Sequence, residues 1–109
     1  MHRLYQSVTA KLAARFKGRA AVWRMHSQEA ADFFPDRGFD LVYVDGDHTL
    51  EGVTKDLSAW IPKIKPGGIF CGDDYDWDGV RQAVNKFAAQ RGLALAPSPP
   101  KKWLIRIPE

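Results

Sequence analysis

The chain has 109 residues, 45% of them hydrophobic and 27% charged, with a formal net charge of +3, so one small globular domain is the bound. Its sixteen Lys and Arg are spread along the chain among thirteen Asp and Glu, which argues for a solvated surface and against a nucleic-acid footprint. The single cysteine, Cys71, excludes an internal disulfide framework, no apolar run reaches the ~18–20 residues that cross a bilayer, and the N-terminus lacks a signal peptide's apolar core; a cytoplasmic protein with no membrane partner is expected.

Leu4, Val8, Leu12 and Phe16 recur every four residues and predict a helix over 4–17, ended by Gly18. Ala20 to Met25 reads as a short strand. Ser27 is a suitable N-cap for a helix running to about Phe34, where Pro35 stops it. Phe39 to Val44 is the clearest strand, β-branched and aromatic, as suits a parallel strand buried on both faces. Thr49 can cap a helix with Val53, Leu57, Trp60 or Ile61, and Ile64 on its apolar face. Pro66-Gly67-Gly68 predicts a turn, and Ile69 to Gly72 a second strand. A helix follows over Asp78–Arg91, closed by Gly92. Leu93–Leu95 and Trp103–Ile107 are the last strands, with Pro97 to Pro100 as a loop between them.

Alternating helices and strands imply an α/β domain over residues 1–109, with parallel strands and a C-terminal antiparallel strand pair. Ligands of such sheets bind beyond the carboxyl ends of the strands. Two strands end in acid there: Val44-Asp45-Gly46-Asp47-His48 and Gly72-Asp73-Asp74-Tyr75-Asp76. On one rim, Asp45, Asp47, Asp73 and Asp74 would crowd together and favour proton uptake or a hard cation such as Mg²⁺. The alternative is that such aspartates cap helices or stand in water, as expected of Asp76 and Asp78. His48 is a candidate general base or a packing residue. Gly46 and Gly72 suit close approach of backbone to a ligand or a tight turn. Neither a G-x-G-x-x-G motif nor a P-loop occurs.

The stretch from Phe39 to Val53, then Lys55-Asp56-Leu57 and Ala59 to Pro62, resembles class I S-adenosylmethionine-dependent methyltransferases of the small-molecule O-methyltransferase kind. Lys65 to Tyr75, Gly79 to Phe87, Arg24 to Ala31 and Trp103 to Arg106 extend the likeness over nearly the whole chain from Val22. The group it is most similar to is the methyltransferase type 24 family, related to macrocin-type O-methyltransferases. The resemblance implies a Rossmann-like sheet and S-adenosylmethionine as cofactor. It implies Mg²⁺ on Asp45, Asp73 and Asp74, as in metal-dependent relatives, and Asp47 or His48 as acceptor of the proton of a substrate hydroxyl. It places His26, Ser27 and Gln28 near the adenine, with Asp45 at the meeting of cofactor and metal. Many members of the type 24 family carry histidine where this chain has Asp73.

The family pattern also implies a first strand with a Gly-rich loop, and a second strand ending in an acidic residue, ahead of these motifs. Neither appears in the sequence, so the expectation is a truncated sheet with a gap between the Ala20–Met25 and Phe39–Val44 strands. Three arrangements resolve it: a fragment missing its N-terminal half, direct pairing of those two strands, or closure by a second copy in a homodimer or larger homo-oligomer. The functional expectation is O-methylation of a small molecule. The alternatives are an inactive truncated domain serving as an oligomeric or partner-binding module, and a cation-binding α/β module of other chemistry.

Overall fold

In the computed structural model, residues 19–21, 23–98 and 100–109 are described. The helix expected over 4–17 lies outside them. The elements, in chain order, are α1 (Ser27–Ala31), β1 (Phe39–Val44), α2 (Leu50–Trp60), a 3₁₀ turn (Ile61–Lys63), β2 (Ile64–Gly72), α3 (Asp78–Arg91), β3 (Leu95–Ser98) and β4 (Lys102–Arg106).

The strand expected at Ala20–Met25 is not formed by Ala20, Ala21, Trp23, Arg24 or Met25, while Val22 lies outside the described residues. Trp23 is engaged elsewhere. Its ring stacks on Phe34 at 4.9 Å and meets Phe33 edge-on at 5.9 Å. Phe34 in turn packs on Phe39 and Trp60, at 4.9 and 5.9 Å. This aromatic cluster also explains the early end of α1. After Ala31 the backbone tightens into i−3 bonds, Phe33 to Ala30 and Phe34 to Ala31, and Phe34 turns inward ahead of Pro35.

The sheet has the order β1-β2-β4-β3. β1 and β2 are parallel, and β4 pairs antiparallel with both β2 and β3. The α/β class and the antiparallel C-terminal pair are therefore as the sequence implied. Pro66-Gly67-Gly68 makes no chain-reversing turn. It is taken into β2 as a bulge between the Phe39–Ile64 and Leu41–Ile69 pairs, with Gly67 at φ +80. Its hydrogen bonds run across the sheet instead: Gly67 N–H donates to the Ile107 carbonyl, and Ile107 N–H to that of Gly68, each at 2.9 Å.

The pairing sorts side chains onto two faces. Val42, Phe70 and Ile105 form one cross-sheet row, and Val44, Gly72 and Trp103 the next. Both rows face α2 and α3, where Val53, Leu57, Val80, Val84 and Phe87 close a single core. Trp103 is buried against Phe70 at 5.6 Å. A Cβ at Gly72 would stand 2.6 Å from that indole, so the row has room for Trp103 only because residue 72 has no side chain. On the opposite face Leu41 and Tyr43 of β1 stay about half exposed, at 52% and 46%. Among the described residues, β1 is also the edge of the sheet, paired on one side alone.

Candidate functional site

Parallel pairing of β1 and β2 brings their carboxyl ends together, with Val44 opposite Gly72. The β1–α2 and β2–α3 loops therefore meet. They meet closely because Gly79, in the first turn of α3, leaves space: a Cβ there would fall 2.1 Å from the His48 carbonyl oxygen.

In the β1–α2 loop, the Thr49 hydroxyl accepts from Gly52 N–H at 3.0 Å and caps α2, as the sequence suggested. Asp47 folds back over the same helix start, accepting from Thr49 N–H at 2.9 Å. That backbone hydrogen bond, with one from the Thr49 hydroxyl, holds the Asp47 carboxyl below its ordinary pKa. Asp47 is thus tied to the start of α2.

His48 is held from two sides. Its Nε2 lies 2.8 Å from Asp74 Oδ2, and its ring stacks on the Trp77 indole at 4.5 Å and 15°. Asp74 is itself in the left-handed region, at φ +62, with its N–H donating to Asp73 Oδ1 at 2.8 Å. The tautomer with hydrogen on Nε2 donates to Asp74 and leaves Nδ1 as a free lone pair, the arrangement of an oriented base.

Asp73 points the other way. Its Oδ2 is 2.9 Å from the ammonium of Lys102, which also donates to the Tyr43 hydroxyl at 2.7 Å. The Lys102 hydrogen bond, then that of Asp74 N–H, lowers the Asp73 pKa, while the Tyr43 and Asp73 bonds raise that of Lys102. The expected Mg²⁺ set is therefore not assembled. Asp73 is paired with Lys102 and Asp74 with His48, and Asp45, exposed, borders the same small cavity at the strand ends as Asp73 and Asp74 do. Among the described residues no three His, Cys, Asp or Glu side chains are grouped to hold a metal. These residues do not fit a divalent ion.

Next to the acidic rim, a cleft of about 310 Å³ is lined by Ser27, Val42, Tyr43, Val44, Asp45, Gly46, Asp56 and Trp60. Of the expected cofactor-side residues, Ser27 and Asp45 border it. Gln28 stands behind Ser27, and His26 is exposed at the N-cap of α1. Ser27 does not cap α1. Its hydroxyl donates instead to Asp56 Oδ1, which also accepts from the Gln28 amide at 3.0 Å. Asp56, 6% exposed, is the one buried charged residue among those described, and it fastens α1 to α2. The sequence does hold a signal for it: Asp56 sits between Val53 and Trp60 on an otherwise apolar helix face. Lys102 and Tyr43 carry no such signal, since only strand register brings them together.

Solved structures share this architecture. The chain is similar to a protein of Corynebacterium glutamicum, at 13% identity and a TM-score of 0.74, covering 99% of this chain and 56% of that one. It is similar to the O-methyltransferase NovP, at 15% identity and a TM-score of 0.66, covering 92% of this chain and 45% of that one. It is similar also to CalS11, a TDP-rhamnose 3'-O-methyltransferase of calicheamicin biosynthesis, at 20% identity and a TM-score of 0.65, covering 96% and 50%. The chain spans about half the length of these structures. At these identities the likeness shows the fold, a Rossmann-like methyltransferase sheet. No curated protein matches the sequence. A family model does: the type 24 methyltransferase domain matches residues 2–75, more than half of the chain, and the chain belongs to that methyltransferase family.

Proposed function

We propose that this chain supplies the acceptor side and part of the cofactor side of an S-adenosylmethionine-dependent O-methyltransferase acting on a small molecule. The observation that carries this reading is the His48–Asp74 pair, 2.8 Å apart, on the rim beside the Asp45-lined cleft. His48 takes the proton of the acceptor hydroxyl at Nδ1, and Asp74 orients the ring and balances the imidazolium that results. Asp47, already committed to the start of α2, keeps the loop in shape and is the lesser candidate for that proton. Asp45 and Ser27 border the space for the cofactor, with Gln28 behind Ser27 and His26 at its outer end. S-adenosylmethionine, when bound, supplies an electrophilic methyl group. The chain's own part is to align and deprotonate the acceptor oxygen. No step runs through a metal.

The half-length match to the solved structures supports completion of the cofactor side by an N-terminal half or by a second copy. Calorimetry with S-adenosylmethionine tests the reading. Saturable heat at millimolar ligand or below is expected, and its absence would count against a cofactor site in this chain. The β1 edge, unpaired among the described residues, and the half-exposed Leu41 and Tyr43 favour a second reading, a module whose role is association. Sedimentation separates the two, since a monomer that binds the cofactor is incompatible with the second.

A further inference from the structure

The β3–β4 hairpin returns the chain to the acidic rim. In β4, Trp103 pairs with Gly72 and points into the core, so the preceding Lys102 falls on the other face, beside Asp73. On that face Tyr43 lies across from Cys71 through the β1–β2 register. Two side chains thus converge on one ammonium: Asp73 Oδ2 at 2.9 Å and the Tyr43 hydroxyl at 2.7 Å. Lys101 follows the same path, and its carbonyl accepts from Tyr75 N–H at 2.8 Å, which ties the hairpin to the β2–α3 loop.

This accounts for both oxygens of Asp73. Oδ1 accepts from Asp74 N–H, and Oδ2 from Lys102. A divalent ion at Oδ2 would have to displace a like charge that the Tyr43 hydroxyl also holds. We propose that Lys102 is the resident cation of this rim: it occupies the charge-balancing position on Asp73 that a metal would otherwise take, and the acceptor side works without Mg²⁺. An ammonium has three N–H donors, of which Asp73 and Tyr43 use two.

The assignment rests on the rim being the acceptor side of the site, but its test reads metal binding alone, so the two fail separately. Mg²⁺ is titrated calorimetrically, and Mn²⁺ by loss of its free-ion resonance, into the whole chain, into Lys102→Met, and into Lys102→Met combined with Asp73→Asn. The unaltered chain is expected to show no saturable binding up to about 5 mM, weaker than the weakest dedicated sites. Lys102→Met should gain affinity by about tenfold or more once the competing charge is gone, and the added Asp73→Asn should abolish the gain. Saturable binding by the unaltered chain below about 5 mM would overturn the proposal. So would a folded Lys102→Met chain that gains no affinity. The first arm needs no variant and stands even if Lys102→Met does not fold.

Discussion

His48 shows how one side chain acquires a role through its neighbours. In the loop sequence it could be a base or a packing residue; the Asp74 carboxylate on Nε2 and the Trp77 indole on its face give it an orientation. In a cofactor-competent form, His48→Ala should lower kcat by about 10²–10⁴-fold, the usual weight of a general base, with a smaller change in KM. Asp74→Asn should lower it less, because it removes the group that orients the ring and not the ring itself. Asp56 predicts a different outcome, because its work is structural. Asp56→Ala removes two side-chain hydrogen bonds to a buried carboxylate and should cost about 2 kcal/mol in urea unfolding. Asp47 predicts a pH effect. Its folded pKa is depressed by the Thr49 N–H below the ordinary 3.8, so the unfolded chain binds its proton first as the pH falls. The stabilisation is therefore complete above that ordinary value and is lost as the pH drops through the lower, folded one. Asp47→Asn should flatten the acid limb of a stability-against-pH curve and leave the region above pH 5 with little slope, to within about 1 pH unit.

At the level of elements, what the sequence revealed followed local chemistry. The α3 helix was legible to the residue, because its apolar face repeats regularly and Gly92 takes the left-handed C-cap at φ 64. The Thr49 cap and the bounds of β1 were legible for similar reasons, but β1 is not buried on both faces as its composition suggested, since Leu41 and Tyr43 are half exposed on the face away from α2 and α3. Elements that depend on a distant partner were not. Pro66-Gly67-Gly68 has the composition of a turn, yet the bond from Gly67 to Ile107, forty residues away in sequence, draws it into β2. The apolar run at Ala20–Met25 has strand propensity, yet Trp23 is captured by Phe33 and Phe34. The carboxylates of the rim were legible as a cluster. Their partition between Lys102 and His48 was not, because no local pattern fixes which side chain reaches which. The joining of the two loops depends on one position that can be tested. Gly79→Ala would force a Cβ against the His48 carbonyl and should destabilise the chain by about 1–3 kcal/mol, with broadened NMR signals confined to residues 45–50 and 73–80.

At the scale of the molecule, the helices among the described residues leave the two faces of the sheet unequal. The face beneath α2 and α3 holds the core, whereas the other presents Leu41 and Tyr43 to solvent along an edge strand. Apolar surface beside unpaired backbone favours association. If this face is the surface that joins the completing part of the site, Leu41→Lys should weaken association and leave the core intact. Sedimentation of the unaltered chain should show dimers or larger species, and Leu41→Lys should move the distribution toward monomer. Equal distributions for the two chains would assign the face no such role.

The stacking of His48 on Trp77 has a practical consequence. An imidazolium quenches the fluorescence of an indole in contact with it far more than a neutral imidazole does. Trp77 is half exposed and lies against the residue proposed to receive the proton, so its emission should respond to changes at that ring. Three other tryptophans contribute to the signal. Subtracting the spectrum of a Trp77→Phe variant would isolate the contribution of this pair. The protein then carries an optical reporter that needs no added label and no knowledge of the acceptor. A library of candidate small molecules could be screened by the change in that difference signal alone.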